Sequence, residues 1–189
     1  MPFIIAALFG GGVALLRGGR LSNLSGLSLR RSGLPIVALG LQILALYGPG
    51  REDARPFGVP AILILASYGL LLVTVLANRQ LPGIAWLGLG AALNLLVILA
   101  NSGWMPVTAK SLAVAGFIES PSAVVSGQRM LGSKDMIQVG HEINLRWLSD
   151  RFIVPQAGLL TAVFSLGDIL MMFGLFLLIQ AGVVDRENS

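Results

Sequence analysis

One carboxylate interrupts an otherwise uncharged stretch near the C-terminal end of the chain: Asp168, in Phe164-Ser165-Leu166-Gly167-Asp168. If residues 158–184 form a helix crossing a bilayer, Asp168 lies about ten residues into it, some 15 Å along the axis. A carboxylate at that depth is costly unless it is paired, hydrated or neutral. Two readings follow. Either Asp168 exchanges a proton or binds an ion, or it hydrogen-bonds a neighbouring helix or caps backbone. Asp150, in Trp147-Leu148-Ser149-Asp150-Arg151, stands upstream of the same span; its plain reading is a surface ion pair or a helix cap. His141 is the only histidine, in Gly140-His141-Glu142-Ile143-Asn144. Its i+4 neighbour is Leu145, so the paired-histidine zinc motif is missing. It is either a proton-transfer group or an interfacial histidine satisfied by a neighbour. Asn94 and Gln42 place amides inside apolar runs, where interhelical hydrogen bonding is their ordinary use. Asn101 closes the fourth such run. The candidates for chemistry are therefore Asp168, Asp150 and His141, and those for substrate binding are Asn101 and Asn94. No phosphate loop, nucleophile elbow or dinucleotide fingerprint occurs, so neither a cofactor nor a metal is expected.

The elements that must position these residues are membrane helices. Of 189 residues, 55% are hydrophobic and 12% charged, against about 25% charged in soluble domains. Charge is missing from whole stretches rather than from one face. Such runs approach the roughly 20 residues that span a bilayer, and they lack the alternation of barrel strands. The expected fold is all-α, a polytopic bundle of about five transmembrane helices in a single membrane domain, near 2–16, 34–48, 58–77, 83–100 and 158–184. The run 2–16 is followed, not preceded, by Arg17 and Arg20, which suits a retained helix rather than a cleaved signal. Residues 101–157 mix charges with aliphatics and tryptophans. They are expected to form a cap of short amphipathic helices on the membrane surface. One is expected over 108–117, with Thr108 as N-cap and Gly116 near its end; another is expected over 141–152.

Basic residues set the orientation. An N-terminus outside puts six of them inside (Arg17, Arg20, Arg30, Arg31, Arg79, Arg186) and two outside (Arg51, Arg55), with five more in the cap. Long segments weigh less in this rule. The expectation is a multi-pass protein of the cell inner membrane, with the cap outside and the C-terminus cytoplasmic. Its partners are the lipid bilayer and other membrane subunits. Nucleic acid is not expected, because the arginines flank apolar runs and form no basic stripe interleaved with aromatics. Cysteine is absent, which excludes disulfides and thiolate chemistry.

Two resemblances bear on function. Gly19-Arg20-Leu21-Ser22-Asn23-Leu24, Asn101-Ser102-Gly103-Trp104-Met105-Pro106-Val107, the 141–150 stretch and Phe164 to Asp168 together resemble the Domain of Unknown Function 5317 family of bacterial membrane proteins. That resemblance implies a polytopic membrane fold and no established activity. Locally, Phe164 to Asp168, with Gly174 six residues on, is similar to the motif opening the last span of signal peptidase II, a membrane aspartyl protease. The similarity implies that Asp168 and Asp150 would share a proton and act on water. Ser165 and Gly167 depart from that family's asparagine and alanine, and its Asn-x-Gly-x-Ala-Phe motif is missing. Three classes stay open: a hydrolase using Asp150 and Asp168, an ion-coupled transporter in which Asp168 faces Asn94 or Gln42, and a structural subunit without a cavity.

Overall fold

The computed structural model describes residues 2–26, 28–138, 143–155, 158 and 161–184. The chain is mostly helical. Four apolar helices come first: α1 (Pro2–Leu16), α2 (Gly33–Tyr47), α3 (Val59–Ala77) and α4 (Ile84–Ala100). A smaller cap follows, and then α6 (Leu166–Val183). Two of these helices, α3 and α6, are long and apolar enough to cross a membrane, whereas α1, α2 and α4 are shorter apolar helices. Local chemistry fixes their ends. Pro60 sits in the first turn of α3, where its missing N–H costs nothing. The buried Asn78 closes α3 by donating to Thr74 O and Arg30 O, both at 2.8 Å, and accepting from Arg30 N at 2.7 Å.

The long helices pack in a row, α1 on α6, α6 on α4, α4 on α3, and α3 on α2. The α4–α6 contact is backbone against backbone. A Cβ on Gly167 would collide with Asn94 Oδ1 and Gly90 O, and one on Gly174 would meet Gly83 O at 2.6 Å. Glycine at 83 and 90 on one helix, and at 167 and 174 on the other, thus lets the axes approach. Away from these seams large apolar side chains stay exposed: Leu8, Phe9, Ile36 and Leu76 are each at least 66% accessible. A helix of a soluble protein would carry polar residues there.

The cap departs from a purely helical expectation. Strand β1 (Met105–Thr108) leaves α4 directly and pairs in parallel with β2 (Asp135–Gln138). Val107 also bridges to Asp150, so β1 lies between the segments carrying Asp135 and Asp150. The expected helix at 108–117 is α5 (Ala109–Ala115), with the Thr108 hydroxyl accepting from Ser111 N and Gly116 at φ 86°. The expected helix at 141–152 does not form over its described part, 143–152. Asn101 and Asn144 exchange bonds of 2.9 and 3.0 Å that hold the chain extended against the end of α4, and Leu145 turns left-handed at φ 54°. A single 3-10 turn, Arg146–Leu148, leads into β3 (Phe152–Val154), which pairs antiparallel with β4 (Ala162–Phe164). The last helix accordingly starts at Leu166 rather than near 158, because Val163 and Phe164 join β4 and Ser165 caps the helix.

Candidate functional site

The late start of α6 changes the setting of Asp168. It occupies the first helical turn, not the middle of a span. Ser165 Oγ accepts from Asp168 N at 3.0 Å, and Asp168 Oδ2 accepts from Ser165 N at 3.1 Å, a reciprocal capping box. From α4, Asn94 Nδ2 donates to Asp168 Oδ1 at 2.7 Å, and Ser165 Oγ donates to Asn94 Oδ1 at 2.7 Å. Asn94 and Ser165 are fully buried. Both oxygens of Asp168 are therefore engaged in fixing the start of α6 on α4. This is the hydrogen-bonding role that a buried carboxylate near a helix end can fill.

The cap brings further charge to the same place. Lys134, just before β2, points its ammonium at Asp150 Oδ2 (3.3 Å), Asp135 Oδ1 (3.7 Å) and Asp168 Oδ2 (3.9 Å). Three segments thus converge on one cation: β2, the bridge residue beside β1, and the first turn of α6. Asp150 is 1% exposed, and among the described residues its buried Oδ1 has no hydrogen-bond partner; the buried Asp135 Oδ1 likewise has none. Burial pushes the Asp150 carboxyl well above its ordinary value, against the pull of Lys134; Asp135 and Asp168 push it further up. Burial alone would lower the Lys134 ammonium, but Asp150, Asp168 and Asp135 outweigh it and hold it well above its ordinary value. Lys134 is thus a fixed cation, not a base. The acid–base group of the cluster is Asp150, whose protonated form the neighbouring Asp135 and Asp168 carboxylates favour.

The cluster forms one end of a half-open chamber of about 600 Å³ between cap and helices. The walls away from the charges are apolar: Leu46 of α2, Ile64 and Leu71 of α3, Leu112 of α5, Met130 of the cap and Met171 of α6. Tyr68 and Gln42 also reach the chamber, and Gln42 Nε2 donates to Ser67 Oγ at 3.0 Å. Pockets of this size, apolar over much of their wall with polar groups gathered in it, suit small ligands.

Of the residues singled out by sequence, Asp150 and Asp168 line the chamber and share Lys134, and Asn94 supports Asp168. Asn101 lies apart, bound to Val97 O and Asn144 O, and is not among the lining residues. His141 lies outside the described residues, as does the charged tail 185–189. The sequence reading missed Lys134 and Asp135 as site residues. Their signal was an adjacent lysine–aspartate pair opening the apolar strand segment Met136-Ile137. Among the described residues, no group of three His, Cys, Asp or Glu side chains is arranged to hold a metal ion.

Apolar helices joined through a small cap, with a charged chamber at the junction, define a class by architecture alone. The chain belongs to the Family of unknown function (DUF5317), whose model matches residues 26–180. No curated protein and no solved structure matches it.

Proposed function

We propose that this is a polytopic membrane protein that binds an amphiphile in the chamber between its cap and its helices. The chamber carries the reading: one end holds three carboxylates around the Lys134 ammonium, and most of the remaining lining is apolar. An occupant with a cationic, hydrogen-bond-donating head and an apolar tail matches both ends. Its head would pair with the carboxylates that share the Lys134 ammonium. The exposed apolar faces of α1 to α3 support all five long helices lying in lipid, and the arginine distribution supports the cap outside the inner membrane and the C-terminus in the cytoplasm. A cavity of this size argues against a purely structural subunit.

A hydrolytic second reading is favoured by one observation: the Asp150 and Asp135 carboxylates both line the chamber and share the Lys134 ammonium. In that chemistry the ionised carboxylate takes a proton from water as its oxygen bonds to the substrate carbonyl carbon. The protonated partner then gives its proton to the leaving group as the old bond breaks. The pair differs from the one implied by the signal peptidase II resemblance, because Asp168 is engaged by Asn94 and Ser165.

The test uses purified protein in phosphatidylcholine nanodiscs. Dodecylamine should raise the melting temperature in a saturable way, and dodecanoate should not. Leu71→Trp, which fills the chamber, should remove the effect. Equal shifts with both probes, or a shift that survives Leu71→Trp, would reject the binding reading.

A further inference from the structure

The opposite face of the Asp150 segment carries a second groove of about 500 Å³, lined by Lys110, Arg146 and Arg151 together with Trp147, Ser111 and Ser149. We infer that this groove binds the phosphate of an anionic phospholipid and so seats the cap on the bilayer. The inference rests on the membrane reading above but not on the chamber's occupant.

The three cations come from different elements: Lys110 from α5, Arg146 from the 3-10 turn, and Arg151 from the residue before β3. Among the described residues no carboxylate lines the groove. Among the described residues none of the three forms an ion pair, whereas Asp150 beside them turns inward to Lys134. Charge is thus sorted along the segment, anion inward and cations outward. The turn is held in shape by Ser149 Oγ, which donates to Arg146 O at 2.7 Å. Arg151 lies 4.6 Å over the Trp147 ring, which orients its guanidinium without neutralising it. Trp147 itself is 77% exposed, and Val114, Leu145 and Phe152 are exposed around it. Guanidinium groups beside an exposed tryptophan suit the headgroup layer, where the ring meets the acyl boundary and the cations meet phosphate. The 3-10 turn also packs on α4 and α6, which places the groove beside the helix ends.

The test is lipid retention, read by native mass spectrometry after release from nanodiscs of mixed phosphatidylglycerol and phosphatidylcholine. Wild-type protein should keep phosphatidylglycerol in preference. Arg146→Gln and Arg151→Gln should each weaken retention about fivefold, and the triple variant with Lys110→Gln on the order of a hundredfold, from the roughly constant worth of each surface cation. Melting temperatures of the variants verify folding. Equal retention by folded wild-type and triple variant would overturn the inference while leaving the membrane reading intact. Displacement of the lipid by inorganic phosphate would reassign the groove to a free anion and overturn it too. Failure to enter nanodiscs at all would overturn the membrane reading and this inference with it.

Discussion

Replacing Lys134 by methionine tests whether one cation organises the cluster. Methionine keeps the length and apolar stem of lysine and deletes the charge. It leaves Asp150, at 1% exposure, without its ion-pair partner Lys134. Breaking a fully buried pair costs about 3–5 kcal/mol. Lys134 keeps 22% side-chain exposure, and water screens part of the interaction, so about 2–3 kcal/mol is expected at neutral pH. The pH dependence has a definite sign. The folded-state pKa of Asp150 is raised above 3.8, so folding binds its proton more tightly than the unfolded chain does. That stabilisation is complete below about 3.8 and is lost as pH rises through the folded value. Loss of Lys134 raises the folded value further. The deficit of Lys134→Met should therefore shrink steadily as the medium is acidified. Chemical unfolding in detergent at neutral and acid pH reads both quantities, and Lys134→Met/Asp150→Leu should recover much of the loss. A variant as stable as wild type at neutral pH, or a deficit independent of pH, would refute the reasoning.

Asp168→Ala removes the capping box and the Asn94 bond and should cost about 1–3 kcal/mol in the same unfolding assay; an unchanged midpoint would contradict the capping role. Gly167→Ala presses a methyl group onto Asn94 Oδ1 and Gly90 O and should cost roughly 1–3 kcal/mol, whereas Gly11→Ala, with nothing within 4 Å, should be neutral or stabilising by about 0.5–1 kcal/mol. Because the chain contains no cysteine, Ser126→Cys gives a unique label in the cap. A membrane-impermeant maleimide should reach it from outside intact cells, and labelling only after the cytoplasmic face is opened would reverse the topology.

The helical part was legible because it depends on hydropathy alone. Runs of aliphatic residues punctuated by Arg17, Pro60, Asn78 and Asn101 have few alternative structures, and the observed helices follow them closely. Thr108 and Gly116 were equally readable, since a hydroxyl N-cap and a left-handed glycine are local devices. The cap strands were not. Four-residue pairings such as Met105–Thr108 with Asp135–Gln138 join segments about 30 residues apart, and no local period marks them. The same limit hid Lys134 and Asp135. Their role arises from β1 lying between two segments, a non-local fact. Asp168 was conspicuous by its apolar neighbours, but its depth was misjudged because hydropathy ran on through 158–164. Ser165 with Asp168 three residues later is a helix-start signature, and it carried the correct boundary.

An amphiphile in the chamber would lie with its tail against the apolar wall. Photocrosslinking tests it most directly, with a long-chain amine carrying a diazirine in its tail, on protein held in phosphatidylcholine nanodiscs. Peptide mapping should place the adducts on chamber-wall residues such as Leu71 and Met171, and Leu71→Trp should abolish them. Adducts confined to the outer helix faces at Ile36 and Leu76, unchanged by Leu71→Trp, would contradict the account.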